Sequence, residues 1–192
     1  VGAGVSSERV GRRVWIYEAQ WQRNEGTAAE FISLPEQIAV PLPDGASFTD
    51  GASLGIPALT AHQCVFGDGP VDGQTILVTG GAGAVGSYAV QFATLAGARV
   101  LSTVSGPEKA AIATAAGADA VVNYRTESVR DEVLGLTDGE GVDRIIDVEF
   151  GGNLGESVEV LKRRGVIATY ASAQAPDPSI PFYAMLYRNI TV

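Results

Sequence analysis

The chain has 192 residues, of which 46% are hydrophobic and 18% charged, a balance typical of a globular protein with one full core or with one domain and part of another. Its formal net charge of −9 argues against nucleic acid and anionic membrane surfaces as partners, because clustered Lys and Arg recognise both. The single cysteine, Cys64, cannot form an intrachain disulfide and favours a reducing, cytoplasmic location, and no apolar run approaches the ~20 residues of a membrane span.

The first 45 residues are β-rich in pattern. The stretches RVWIYE (13–18) and AEFISL (29–34) alternate apolar and polar residues and predict two short strands joined by a loop. The next stretch, VPLPDGASFTDGAS (40–53), is dense in Pro, Gly, Ser and Asp, as connecting segments are. We therefore expect a first domain over 1–45 and a second over 46–192.

The second region alternates predicted strands with predicted helices. The strands fall at 75–79, 99–104, 119–123, 142–148 and 165–170, and the helices at 84–96, 107–116, 128–136, 154–163 and 182–187. Strands with continuous Val, Ile and Leu are typical of a parallel sheet covered on both faces. The pattern predicts a doubly wound α/β domain of the Rossmann type.

One stretch, ILVTGGAGAVGSYAVQFA (76–93), concentrates glycines between a predicted strand and a predicted helix. Its Gly81-x-Gly83-x-x-Gly86 spacing would allow a tight turn, close approach of a pyrophosphate and close helix packing, with the helix N-terminus attracting the anion. The context favours a dinucleotide site. A tight turn without a ligand is the alternative.

Two other classes of glycine-rich loop do not fit. A P-loop requires Lys and then Ser or Thr after the last glycine, whereas Ser87 and Tyr88 follow here. A short-chain dehydrogenase has a glycine at the position of Ala84 and a Tyr-x-x-x-Lys pair, which this chain lacks.

The end of the next predicted strand indicates which nicotinamide cofactor is bound. NAD sites usually place an Asp or Glu there to hold the ribose 2′-OH. This chain has Ser105 and, shortly after, Lys109, a pattern that favours NADP(H). Glu108 is the one acidic candidate, but a carboxylate in the first turn of a helix also suits the helix dipole. An ordinary solvated helix lysine is the alternative interpretation of Lys109.

In order and spacing these motifs resemble the zinc-free quinone oxidoreductase (zeta-crystallin-like) branch of the medium-chain dehydrogenase/reductase family. VGAGVSSERVGRRVW (1–15) is similar to the end of the family's β-barrel-like catalytic domain, and ASLGIPALTAH (52–62) to the helix that enters its cofactor domain. The resemblance implies that residues 1–45 are part of the catalytic domain and that 46–192 are a Rossmann domain without its closing segments. We therefore expect an internal fragment of a longer chain.

The resemblance also implies roles for individual residues. Thr60 matches the threonine that lies against the nicotinamide ring, although it could be a core or capping hydroxyl, and Tyr124 could be a strand-end aromatic. The implied cofactor-binding residues are Gly81, Gly83, Ala84, Val85, Gly86, Ser105, Lys109, Tyr124 and Arg125, of which the last four lie near the 2′-phosphate.

No metal is expected. In zinc-dependent members of the family a cysteine occupies the position of Ile56, and isoleucine has no donor atom. The four-cysteine lobe is missing between Val14 and Thr27. His62 and Cys64 are interpreted as structural residues.

The resemblance implies an NADPH-dependent oxidoreductase that transfers hydride to a quinone or activated enone, a small molecule, without metal. No side chain stands out as a general acid. Two alternatives stay open: an enoyl-thioester reductase of the same fold, and a non-catalytic NADPH-binding structural or regulatory protein. The strand-like end NITV (189–192) predicts a homodimer paired at a sheet edge.

Overall fold

The computed structural model describes all 192 residues, which form two compact units, residues 1–59 and 60–192. In the first unit, β1 (Val14–Ile16) pairs antiparallel with β2 (Ala39–Pro41), and Trp15 lies opposite Val40. The strand predicted at 29–34 is wrong: this segment is irregular, and Phe31 is 90% exposed. Alternation of apolar and polar residues does not produce a strand when no neighbouring chain pairs with it.

Helix α1 (Phe48–Phe66) crosses the division between the units and is broken at Gly55. Gly55 has φ +30° and ψ −140°, a backbone conformation that side chains disfavour. Pro57 follows at the start of the second helical segment, where its missing N–H costs no helical hydrogen bond.

The second unit is built on a parallel five-stranded sheet in the order β5-β4-β3-β6-β7. In register, Ile76 of the central strand lies opposite Val100 on one side and Arg144 on the other. The strands are β3 (Thr75–Val78), β4 (Arg99–Val104), β5 (Ala120–Asn123), β6 (Val142–Asp147) and β7 (Leu161–Thr169). The helices are α2 (Ala84–Leu95), α3 (Pro107–Ala116), α4 (Val129–Leu136), α5 (Phe150–Val160) and α6 (Phe182–Arg188).

Hydrophobic clusters fill both faces of this sheet. Ile76 and Val78 point into a first core cluster with residues of α1, α2 and α3, whereas Leu77 points into a second core cluster with residues of α4 and α5. Successive residues of a strand face opposite sides, so an unbroken apolar run supplies both clusters. The predicted doubly wound parallel sheet is confirmed.

The last predicted elements have different boundaries from those expected. Helix α5 begins at Phe150 rather than at 154. The prediction missed its first turn because residues 151–153 are two glycines and an asparagine, which have low helix propensity. It ends at Val160, where the Arg188 guanidinium donates hydrogen bonds to the carbonyls of Val158 and Leu161. In the segment 189–192, Thr191 pairs with Val166 beside β7. None of the helices has the length and apolar content needed to cross a bilayer.

Candidate cofactor site

The candidate site lies at the carboxyl ends of the parallel strands. The chain runs from β3 outward to β4 and β5, then returns to place β6 on the other side of β3. At such a reversal the connections leave the sheet in opposite directions and open a crevice above the strand ends. The residues that follow β3, β4, β5, β6 and β7 therefore converge on one edge.

A glycine-rich turn connects β3 to α2 within this crevice. Gly80 has φ +68° and is therefore the left-handed residue of the turn. The sequence pattern predicts the tight turn at Gly81, one position later. The N–H of Gly83 donates to the Gly80 carbonyl at 2.8 Å. On the neighbouring strand, Thr103 accepts from Gly80 N at 3.1 Å through its hydroxyl and from Gly81 N at 3.2 Å through its carbonyl. The turn is thus fixed to β4.

Two glycines of the spacing motif leave no room for a side chain. A Cβ on Gly81 would lie 2.0 Å from the Ser102 hydroxyl oxygen, and a Cβ on Gly86 would lie 2.3 Å from the Gly80 carbonyl oxygen. Gly83 is less restricted, since its Cβ would lie 3.2 Å from that carbonyl oxygen. The motif therefore lets α2 pack directly onto the end of β3.

Helix α2 presents free donors at this point. Its N-cap residue is Gly83, and no side chain caps the first turn. The first N–H groups of a helix have no partner within the helix and carry the positive end of its dipole. They are therefore available to an anion.

A cavity of about 320 Å³, here called the glycine-loop cavity, lies beside this turn. It brings together most of the predicted cofactor-binding residues, which come from three separate connections. Those that line it are Gly83, Ala84, Val85, Ser105, Lys109 and Tyr124. Gly81 and Gly86 are buried in the turn itself.

Three other residues weighed in the sequence argument do not line the glycine-loop cavity. Thr60 is half-buried on α1, and Arg125 is exposed after β5, with its N–H donating to the Asn123 side chain at 3.2 Å. Glu108 also lies outside the set of lining residues, whereas the adjacent Lys109 is in it.

Tyr170, which follows β7, lines the glycine-loop cavity and was missed by the sequence argument. Its ring packs against the first core cluster. Burial, with smaller contributions from the neighbouring Cys64 and Asp147, raises the pKa of its phenol to about 12. In the sequence, Tyr170 is an aromatic residue at the end of an apolar strand. Such residues are also common where no ligand binds, so the pattern alone does not identify a site.

A second missed residue, Asp147, is fully buried at the end of β6. Its Oδ1 accepts hydrogen bonds from the Thr79 hydroxyl at 2.8 Å, the Asn153 amide at 2.8 Å and Glu149 N at 3.0 Å, while Oδ2 has no partner. Thr79 also accepts from Val148 N at 2.9 Å. The ends of β3 and β6 and the first turn of α5 are thereby tied together. In the sequence, the only indication of this role is that Asp147 is a polar residue at the end of an apolar strand.

A neighbouring cavity of about 400 Å³ lies toward α4 and α5 and is lined by Glu127, Glu149 and Glu156. Burial pushes the pKa of Glu149 up, but backbone N–H donors of 173–174, 152 and 175 outweigh this and lower it below the usual value. The carboxylate accepts from Ala173 N at 2.9 Å and Gln174 N at 3.0 Å. It therefore attaches the loop after β7 to the start of α5.

No group of three or more His, Cys, Asp or Glu side chains is placed to share a metal ion. Cys64 is buried on α1, where loss of solvation raises the pKa of its thiol despite the opposing charge of Arg144. A neutral, buried thiol is a poor metal ligand.

Comparison with known proteins identifies the relatives of this chain. The profile of the zinc-binding dehydrogenase family matches residues 84–192, more than half of the chain. A quinone oxidoreductase of Pseudomonas aeruginosa is 33% identical over 177 residues, which cover 92% of this chain and 53% of that protein. A crotonyl-CoA reductase of Streptomyces avermitilis is 29% identical over 181 residues, covering 84% of this chain and 40% of that protein.

Among solved structures, the quinone oxidoreductase of Thermus thermophilus, which has also been solved in complex with NADPH, superposes with a TM-score of 0.78 at 31% identity. The match covers 98% of this chain and 57% of that chain. The chain spans about half the length of the curated relatives that it matches. It belongs to the zinc-binding dehydrogenases, that is, to the medium-chain dehydrogenase/reductase family, in its quinone oxidoreductase branch.

Proposed function

We propose that this protein is an NADPH-dependent oxidoreductase that transfers hydride to a quinone or an activated enone without a metal. The observation that carries the proposal is the glycine turn, in which Gly81 and Gly86 leave no space for a side chain and α2 directs uncapped N–H groups into the crevice. This arrangement suits a pyrophosphate, which needs backbone donors and close approach.

The surroundings of the turn favour NADPH over NADH. Lys109 lines the glycine-loop cavity together with Ser105 and Tyr124, and it is the only cation that does so. A lysine can pair with a 2′-phosphate, whereas an acidic residue at this position would repel it. We assign Arg125 to the same phosphate on the family resemblance, and Thr60 to the nicotinamide ring.

The first experiment is calorimetric titration of the protein with NADPH and NADH. Lys109→Ala should weaken NADPH roughly tenfold or more, because a hydrogen bond to a charged group contributes about 1.5–3 kcal/mol, and should leave NADH nearly unchanged. Arg163→Ala removes the same charge from the exposed start of β7, at the opposite edge of the sheet, and serves as the matched control. Equal affinity of the parent for both cofactors would refute the 2′-phosphate assignment.

When bound, the reduced nicotinamide ring would supply the hydride. The chain's own residues would act by position: the glycine turn would hold the pyrophosphate and Lys109 the 2′-phosphate, while Val85 and Val148 contribute apolar surface to the cavity wall. An enone or quinone accepts hydride without Lewis-acid activation more readily than a simple aldehyde does. Ile56 at the position of the family's zinc-ligating cysteine is consistent with such an acceptor.

Zinc independence is tested separately, on the full-length protein. NADPH oxidation with 1,4-benzoquinone should be unaffected by a metal chelator and by dialysis against it. Loss of turnover that returns on addition of zinc would overturn the metal-free assignment while leaving the cofactor assignment intact.

One observation favours a second acceptor class. The chain is also similar to a crotonyl-CoA reductase, so an enoyl thioester is the alternative substrate. A full-length protein that reduces crotonyl-CoA faster than quinones or enals would support it. Tight NADPH binding with no oxidation across all three acceptor classes would instead support a binding protein without turnover.

We also propose a homodimer in the cytoplasm. Ile180, Phe182, Tyr183 and Leu186 in and before α6 are more than half exposed, and Thr191, which follows α6 in the chain, forms a single bridge to Val166 on the outer edge of β7. Exposed apolar side chains, and a sheet edge that one bridge only partly covers, favour association. Sedimentation as a monomer at micromolar concentration would contradict the dimer.

A further inference from the structure

Tyr170 has a hydroxyl that the fold does not explain. Its ring packs against the first core cluster, as an apolar side chain would, yet the hydroxyl makes no hydrogen bond within the chain. Unlike Asp147 Oδ2, the hydroxyl oxygen is not sealed from solvent, so a molecule outside the chain can reach it. Tyr170 lines the glycine-loop cavity, so a ligand in that cavity could accept the hydrogen bond that water otherwise accepts.

The strand order places Tyr170 at a defined end of this cavity. Lys109 and Tyr124 follow β4 and β5, on one side of the central β3, whereas Tyr170 follows β7 on the other side. All three line the same cavity, which therefore extends across the carboxyl edge of the sheet. A dinucleotide with its 2′-phosphate at Lys109 would have its nicotinamide half toward β6 and β7.

The neighbours of Tyr170 agree with this direction. Cys64 is close enough to perturb the titration of the phenol, and it lies one helical turn after Thr60, hence on the same face of α1. Asp147 perturbs it from the end of β6. With its pKa raised to about 12, the phenol keeps its proton at every physiological pH and is a permanent donor.

We propose that Tyr170 positions the nicotinamide ring by donating its phenolic hydrogen to the carboxamide oxygen of the cofactor. That carbonyl is the strongest neutral acceptor that NADPH would present at this end of the cavity. The inference rests on the proposed NADPH function. It adds a role for a hydroxyl that the family resemblance did not assign.

The test separates the ring from the rest of the cofactor. The full chain and its Tyr170→Phe variant are titrated with NADPH and with 2′-phospho-ADP-ribose, which keeps both riboses and all phosphates but lacks the nicotinamide. Tyr170→Phe should weaken NADPH roughly three- to tenfold, the effect of one neutral hydrogen bond, and change 2′-phospho-ADP-ribose less than twofold. The fluorescence of bound NADPH should shift in the same variant.

Two controls make the result decisive. Tyr187→Phe removes a hydroxyl from exposed α6 and should change the affinity for neither ligand, and Lys109→Ala should weaken both. Equal weakening of both ligands by Tyr170→Phe would show a structural role and overturn the inference, as would no effect on NADPH. In either case an intact Lys109 effect leaves the proposed function standing, whereas failure of the parent to bind NADPH would overturn both.

Discussion

Replacing Gly86 with alanine tests whether the glycine turn is held by close packing. The new Cβ would lie 2.3 Å from the Gly80 carbonyl oxygen, about 1.1 Å short of the 3.4 Å at which ordinary contact begins, and 2.9 Å from Gly80 C and Gly81 Cα. All three atoms are backbone, so no side chain can rotate away. Overpacking of this kind costs about 1–3 kcal/mol. For a chain of this size that corresponds to a fall in Tm of about 2–12 °C.

The assay is thermal unfolding followed by circular dichroism, with Gly155→Ala as the matched control. Gly155 lies in α5, and a Cβ there would meet nothing within 4 Å. That variant should be stabilised by about 0.5–1 kcal/mol, because alanine has the higher helix propensity. A Gly86→Ala protein that unfolds at the temperature of the parent would refute the packing argument, whatever its effect on cofactor binding.

Three further predictions concern stability and reactivity. The pKa of Tyr170 is raised to about 12, so the contribution of its phenol to the free energy of unfolding is complete below the unfolded-state pKa of about 10 and is lost as the pH rises from about 10 toward 12. Tyr170→Phe should reduce this loss of stability, measured by urea unfolding at a series of pH values between about 9 and 12. Asp68→Asn should destabilise the protein by about 1–3 kcal/mol, and by more than Arg144→Met does, because it leaves the buried guanidinium without its charged partner. Cys64 should react with a thiol reagent only after denaturant is added, since burial raises its pKa and blocks access; fast labelling of the native protein would contradict this.

The sheet was predictable because its strands are apolar on both faces. Ile76, Leu77 and Val78 form an apolar run whose side chains point to both faces of the sheet, so helices must cover both faces. The glycine spacing after this run identifies the connection from the first strand of the sheet to its helix. Pairing in the first unit was not predictable in this way. The segment around Phe31 alternates apolar and polar residues as a strand does, yet β1 pairs with residues 39–41. Strand pairing depends on contacts between distant parts of the chain, which the local pattern does not contain.

The geometry of the candidate site was predictable where one residue type has one physical reason to be present. Gly86 is such a residue, because a side chain there would meet the backbone of the turn. Tyr170 and Asp147 have several possible reasons, since aromatic and polar residues close strands in many proteins. Only the strand order, which places the ends of β6 and β7 beside the glycine turn, distinguishes them.

The carboxylate of Asp147 joins three segments at the base of the crevice. One of its oxygens accepts hydrogen bonds from the end of β3, from the turn after β6 and from α5, so these three segments are held together in the folded chain. A ligand that entered the crevice would not have to order these segments on binding, and its affinity would be higher by the entropy that ordering costs. A substitution of Asp147 should therefore lower the melting temperature and also raise the dissociation constant of any ligand that binds in the crevice.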